Sequence, residues 1–326
     1  MITKKYYKLI RVSHADEGYF YIKNVSNEIG EFNINNYSSN GTLEYSLDGV
    51  NWTSYDLTTK PSVNVNPNSN IYLRGTNFKN NKSGSVINFT KDYTVGGNFM
   101  SLSNYATMSS VTTIDSNNYI QYVFYQQTHL VSAADLNFGN VTTIGTQGFY
   151  GVFQSCSYLI TPPDFSNVTS IGSQGLNEVF KSCSSLITPP DFSSVTSIGD
   201  NGLYSAFSNC SSLTTGPDLS SVTSIGNNGL NNTFSNCSSL TTGPDLSNVT
   251  SIGTYCLYGA FQSCTKLSSA TAPNVQDLTQ NNVLSSWLQN AGTQATGTKV
   301  VNVPTGATIT TGSGSGIPSG WTRVDY

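Results

Sequence analysis

Asp164, Asp191, Asp218 and Asp245 recur every 27 residues and are the side chains of this sequence best spaced to act together. If the chain stacks at that period, their carboxylates fall in a row. Like charges at close range are unfavourable unless each is hydrogen-bonded or shares a cation. The row therefore reads as an acidic stripe for calcium or sugar, or as four turn caps. In the second case each Asp bonds the backbone just after its own proline, and that is the stronger reading. Thr188, Thr215 and Thr242, flanked by Thr214 and Thr241, would tile one exposed face. Their hydroxyls could recognise carbohydrate hydroxyls, or could simply be solvated strand residues.

Cysteine offers a third chemistry. Cys156, Cys183, Cys210, Cys237 and Cys264 share one position of the period, while Cys256 stands where earlier copies carry Gly148, Gly175, Gly202 and Gly229. Neighbours one step apart would come within disulfide reach. Cysteine is also among the most buried residue types and fills small core positions as a thiol, and a reduced ladder is the expected state. His14 and His129 lie far apart, and no His-x-x-x-His or Cys-x-x-Cys spacing accompanies them. Neither a Gly-x-Ser-x-Gly elbow nor a phosphate-cradling glycine loop is present. Two carboxylates at unrelated positions would suffice for a glycosidase, but nothing singles out such a pair. The expectation is a protein with no catalytic residue, no metal and no cofactor.

The element that positions all of these residues is a repeat. Phe153, Phe180, Phe207, Phe234 and Phe261 keep the same 27-residue spacing, as do Leu159, Leu186, Leu213, Leu240 and Leu267. Val168-Thr-Ser-Ile171-Gly172 returns at 195, 222 and 249, with earlier forms at 141 and 111, and Val275 to Leu288 resembles a decayed last copy. A fixed period of this length marks a stacked array. Val-Thr-Ser-Ile alternates as a short half-buried strand should. The glycine after it suits a turn with positive φ. Leu203 and Phe207, four apart, would share a face of a short helix or 3₁₀ turn. Thr-Pro-Pro-Asp or Thr-Gly-Pro-Asp then forces a corner. No coil can bury its own apolar edge, so stacking must supply the core.

The Val-Thr-Ser-Ile-Gly…Phe-x-x-Cys-Ser-Ser-Leu unit resembles the BspA-like class of leucine-rich repeats, found in bacterial surface proteins and in phages of gut Bacteroidales. The resemblance covers roughly residues 105–290. It implies surface display and binding, and it supplies no catalytic residue to carry over. The expected fold is mainly β with short helices. An N-terminal antiparallel β-sandwich spans 1–92, a leucine-rich-repeat-like solenoid of 27-residue coils spans 93–290, and a C-terminal cap spans 291–326. In the first of these, Tyr45, Leu47, Trp52, Tyr55, Val63, Val65, Tyr72 and Leu73 are core candidates, with an Asp48-Gly49 turn.

Composition narrows the partners. Charged residues make up only 10% of the chain, with a net charge of -4, whereas 47 Ser, 38 Thr and 36 Asn make up more than a third of it. Without a basic cluster, nucleic acid is not an expected partner. No apolar run approaches the ~20 residues of a bilayer span, and Met1 to Ile10 contains no signal-like stretch. Combined with the BspA-like resemblance and its phage members, this implies a virion protein, a fibre or decoration, made in a host cytoplasm and released by lysis. Its N-terminal domain would dock on other virion proteins, and its solenoid would bind a host-surface glycan or protein. An exported bacterial adhesin is the alternative, and a symmetric homo-oligomer is compatible with either.

Overall fold

A computed structural model describes residues 19–35, 41–76, 86–104, 108–116, 120–312 and 314–326; His14 lies outside them. The N-terminal part contains two sheets around one core. Strands β1 (Phe20–Asn24), β3 (Thr42–Ser46), β4 (Thr53–Ser54), β6 (Asn70–Thr76), β8 (Tyr93–Asn98) and β10 (Leu130–Asn137) form a six-stranded sheet in the order β10-β8-β1-β6-β3-β4. Strands β2 (Gly30–Ile34), β5 (Val63–Val65) and β7 (Ile87–Phe89) form a three-stranded one, β5-β2-β7. All pairings are antiparallel except β10 with β8. Alternate residues point to one face of a strand, and here they bury Phe20, Ile22, Ile71, Leu73 and Val95 against Phe32, Ile34, Val65, Ile87 and Phe89. The larger sheet thus runs past residue 92 and takes its outer strand from within the repeat region. Of the core candidates, Tyr55, Val63, Val65 and Leu73 are buried and Tyr45 and Tyr72 half-buried, but Leu47 is 52% exposed. Leu47 sits in the loop between β3 and β4, where no second layer of the described residues covers it. Trp52 is half-buried beneath the Arg74 guanidinium, 4.1 Å from its ring centre.

The solenoid is joined to this body by backbone and by aromatic packing. Val86 and Ile87 both donate N–H to Val123 O, at 3.2 Å. Phe20, Phe99 and Phe124 bring their rings within about 6 Å of one another across the junction. From there six two-residue strands stack in parallel: β9 (Thr113–Ile114), β11 (Thr143–Ile144), β12 (Ser170–Ile171), β13 (Ser197–Ile198), β14 (Ser224–Ile225) and β15 (Ser251–Ile252). Their register pairs Ser170 with Ser197 and Ile171 with Ile198, so each residue meets its own equivalent one period on. The isoleucines point inward and the serines outward. Opposite this sheet, Phe124, Phe153, Phe180, Phe207, Phe234 and Phe261 form a column of stacked rings with centroids 5.3–5.6 Å apart, closed by an edge-on Trp287.

Two expectations about the coil are corrected. The segment carrying Leu203 and Phe207 buries both residues but is not a helix. Asn201, Leu203, Ser205, Phe207 and Asn209 donate their N–H to carbonyls of the next coil, while Gly202, Tyr204, Ala206, Ser208 and Cys210 donate to the carbonyl three residues back. This alternation needs a left-handed residue at every fourth position: Asn201, Ser205 and Asn209 in one coil, Asn228, Asn232 and Asn236 in the next. A regular helix would direct every N–H within its own turn and leave the coils unbonded. Asparagine tolerates this backbone better than most residues, which accounts for part of its abundance.

Nor do Gly172, Gly199, Gly226 and Gly253 have positive φ. They are required by close approach instead. A Cβ on Gly253 would lie 2.3 Å from Asn227 N and 2.5 Å from Gly226 C.

At the far end, residues 281–289 continue the turn column, accepting from Tyr255, Leu257, Gly259, Phe261 and Ser263. Strands β16 (Ser269–Thr271), β17 (Lys299–Val303) and β20 (Trp321–Asp325) then form a parallel sheet over the last coil. The pair β18 (Thr310–Thr311) and β19 (Gly316–Ile317) brings Gly316 O to the Trp287 indole N–H at 2.8 Å. Among the described residues no helix is long and apolar enough to cross a membrane.

Candidate functional site

The outer rows of the solenoid carry the residues singled out from sequence. Asp164, Asp191, Asp218 and Asp245 are all exposed, and each accepts the backbone N–H two residues on, from Ser166, Ser193, Ser220 and Ser247, at 2.8–2.9 Å. These are local caps of the corner turn. At Asp191 the Ser193 hydroxyl and N–H hold the carboxyl below its ordinary range. Among the described residues, no group of three or more His, Cys, Asp and Glu is arranged to hold a metal. His129 sits at the junction with its Nδ1 3.1 Å from Asp92.

Thr188, Thr215 and Thr242 are exposed at the same corner. Thr215 and Thr242 form a parallel bridge, as do Thr242 and Ser269, through N–H groups of Gly216 and Gly243 to Thr242 O and Ser269 O. No such bridge joins Thr188 to its neighbours among the described residues. Pro162 and Pro189 occupy the donor position in the earlier coils, and proline has no N–H to give. The corner is thus bridged at its start, where Ser132 pairs with Thr161, interrupted at Thr188, and bridged again from Thr215 onward. Beside it, the hydroxyls of Thr214 and Thr241 donate to the carbonyls one coil before, at 3.3 and 3.1 Å.

The five repeat cysteines are fully buried, and all six cysteines are free thiols. Each repeat thiol donates to a phenylalanine carbonyl of the preceding coil, from Cys156 on Phe124 O at 2.9 Å to Cys264 on Phe234 O at 2.9 Å. Burial pushes Cys210, Cys256 and Cys264 up to about 12. A thiol so protonated and enclosed is no nucleophile.

Among the described residues, the concavities include three of more than about 300 Å³ that open to solvent. A groove of about 510 Å³ runs along the short parallel sheet, floored by Ser170, Ser197, Ser224 and Ser251 and the glycines behind them. Its only charge is Asp200, which accepts the Asn227 N–H at 2.7 Å. A second, of about 360 Å³, lies on the turn column between Tyr122, Tyr150, Gln121, Gln147 and Gln174. Sequence reasoning missed it because the first coil carries insertions that hide the register of Tyr122 with Gly151. The third, of about 330 Å³, gathers Thr242 and Asp245 with Asn302 and Tyr326 from the cap. It is where the Thr and Asp rows share a single hollow. What these surfaces offer is hydroxyl, amide and backbone hydrogen bonding, with one carboxylate each in the first and third, Asp200 and Asp245.

The profile of the BspA type leucine-rich repeat region matches the chain in six copies, over residues 98–259 and 177–300. No curated protein matches. Among solved structures, the T. pallidum leucine-rich repeat protein is similar at 22% identity and a TM-score of 0.34, over 53% of this chain and 72% of its own. A leucine-rich cell surface protein of Faecalibacterium prausnitzii is similar at 17% identity and a TM-score of 0.20, over 66% and 78%. A leucine-rich repeat protein of Eubacterium ventriosum gives 15% and 0.24, over 71% and 78%. With the repeat model covering more than half of the sequence and the 27-residue register present in the fold, the chain belongs to the BspA-type leucine-rich repeat family.

Proposed function

We propose that this chain is a non-enzymatic recognition protein of a bacterial cell surface, an adhesin whose solenoid binds host-surface glycans or proteins. The observation that supports it best is the chemistry of the exposed rows. Along the parallel sheet and the corner, four successive coils present Ser, Thr and Asn to solvent, and the cysteine thiols are enclosed. Such a surface suits neutral polar ligands and offers little to acid–base or nucleophilic chemistry. Repeat stacking gives the extended face that solenoids use for binding.

Family membership favours the cell surface over the phage particle, because surface display is what the repeat implies, whereas a virion location draws on the phage occurrence of similar repeats and on an opening stretch with no signal-like run. Two measurements separate the placements. Antibodies against the solenoid should label intact producing cells, and limited protease treatment of those cells should release peptides from residues 130–290. Detection of the chain in purified virions by mass spectrometry, with unlabelled cells, would overturn the adhesin in favour of the particle. The N-terminal sheets would then be the docking element for other virion proteins.

A further inference from the structure

The three concavities are not equivalent. The groove along the sheet repeats the same Ser-Ile-Gly surface at each coil and contains no aromatic side chain. In the tyrosine–glutamine hollow, Gln147 Nε2 donates to Gln174 Oε1 at 2.6 Å, and the rings of Tyr122 and Tyr150 pack on each other at 5.3 Å. Its polar groups and rings are largely engaged with one another. The hollow at the C-terminal end of the Asp row differs from both, because it combines a carboxylate, an amide, hydroxyls and an aromatic ring.

It arises where the repeat stops repeating. The residue one period after Asp245 is Ala272, so no carboxylate follows in that column. Tyr326 of the cap enters instead, anchored by its hydroxyl donating to Ala272 O at 2.8 Å, with the residue 40% exposed. Burial, with the charge of Asp245, pushes its phenol up to about 12, so the ring stays neutral and its hydroxyl stays a donor. Asp245 Oδ1 takes the Ser247 N–H at 2.9 Å, leaving Oδ2 as an acceptor. Asn302 Nδ2 reaches Thr271 Oγ1 at 3.3 Å, leaving its Oδ1 and a second amide hydrogen. Thr242 adds a hydroxyl from the coil. An apolar plate with a few convergent polar groups in about 330 Å³ falls in the lower part of the small-ligand range.

We propose that this hollow binds the neutral terminal ring of a glycan, with the ring seated on Tyr326 and its hydroxyls bonded to Asp245, Asn302 and Thr242. The assignment rests on the surface-recognition reading above and names its ligand class and place. Neutral sugars are selected because the lining contains Asp245 and no lysine or arginine, so a uronate or sialate carboxylate would face a like charge with no counter-ion. Asp164 lines a separate hollow with Asn137, Asn167 and Phe138, but at about 50 Å³ it is too small for a sugar ring, and Asp191 and Asp218 are each followed one period on by another repeat Asp rather than by the cap.

Saturation-transfer difference NMR on the full chain tests this with galactose, glucose, mannose, fucose and N-acetylglucosamine, against glucuronic and N-acetylneuraminic acids. At least one neutral sugar should bind with a Kd of about millimolar and the acids should not. Asp245→Asn, which keeps the turn cap, and Asn302→Ala should each weaken that binding about tenfold or more. Tyr326→Ala should abolish it while Tyr326→Phe retains the plate and most of the affinity. Circular dichroism melting confirms that each variant is folded. Binding of sugar that is unchanged in all variants, preference for the acids, or no sugar signal would overturn the pocket. Adhesion of the same variants to mucin-coated surfaces separates the two claims: wild-type adhesion that survives in every variant leaves the surface-recognition reading standing without this pocket. Loss of adhesion by the wild-type chain itself would remove both.

Discussion

The thiol of Cys210 donates to Phe180 O at 3.1 Å inside a fully buried column, and the other repeat cysteines do the same. Sequence spacing placed them at one core position, but it could not show the carbonyl they reach, because that contact crosses between coils. Burial holds Cys210, Cys256 and Cys264 protonated, from an ordinary 9.0 up to about 12. A thiol raised in the folded state leaves stability unchanged below the unfolded value and erodes it above, so the loss falls between about pH 9 and 12. The urea midpoint should therefore drop between neutral pH and about pH 10.5, where the unfolded chain gains thiolates that the folded one refuses. In native buffer, iodoacetamide should modify none of the six cysteines, and in urea all of them. Rapid native alkylation would contradict the enclosed ladder. The Asp row makes the opposite point. Since one oxygen of each carboxylate caps its own turn, Asp191→Asn should leave the melting temperature within about 1 °C and Asp191→Ala should lower stability by about 0.5–1 kcal/mol. Millimolar calcium should shift neither, as calorimetry would show.

Within the coil, the alternation in Val-Thr-Ser-Ile was enough to identify the strand, and the Phe and Leu spacing enough to identify the core column. The turn segment reads as a short helix or 3₁₀ turn; the i→i−3 bonds of the second are there, but they alternate with bonds to the next coil and build no helix. Leu203 and Phe207 satisfy an i, i+4 pattern equally well when the chain makes successive turns with left-handed Asn201, Ser205 and Asn209. The telling signal was Asn, Ser and Gly at every fourth position, a pattern that a buried helix would not tolerate. The glycine after each strand was likewise legible as a special position, while its cause was not. Conformational freedom and close backbone approach leave the same letter in the sequence. Gly253→Ala discriminates: with Asn227 N only 2.3 Å from the new Cβ, the coils must part, and urea unfolding should show a loss of about 1–3 kcal/mol. A neutral or stabilising result, as expected if Ala merely restricts the unfolded chain, would contradict the packed spacing. Pro189 and Gly216 offer a related contrast, since only the latter can donate to the following coil.

Over the whole molecule, two sheets close the first coil and a three-stranded parallel sheet closes the last, so the stack presents few unpaired edges. The repeat and its family were visible in the sequence because a 27-residue period is carried by identical letters. The hollow at Asp245 was not, because it depends on where Tyr326 and Asn302 return in space. The entry of β10 into the N-terminal sheet was equally hidden, since nothing in Leu130–Asn137 names its partner. Stacking disfavours charge in the repeat, since it would recur in every coil and repel itself; the Asp row is the exception, and there each carboxylate accepts a backbone N–H of its own turn. It also defines how the protein should bind. Recognition through hydroxyls and amides is insensitive to ionic strength, whereas recognition through charge is screened within ~8 Å at physiological salt. The most direct measurement is biolayer interferometry of the full chain on immobilised mucin glycans, at low salt and at about 0.5 M salt. The account predicts binding whose affinity changes by less than about twofold between the two, with the glycan left intact. Absence of binding, its collapse at high salt, or cleavage of the glycan would contradict a neutral, non-enzymatic recognition surface.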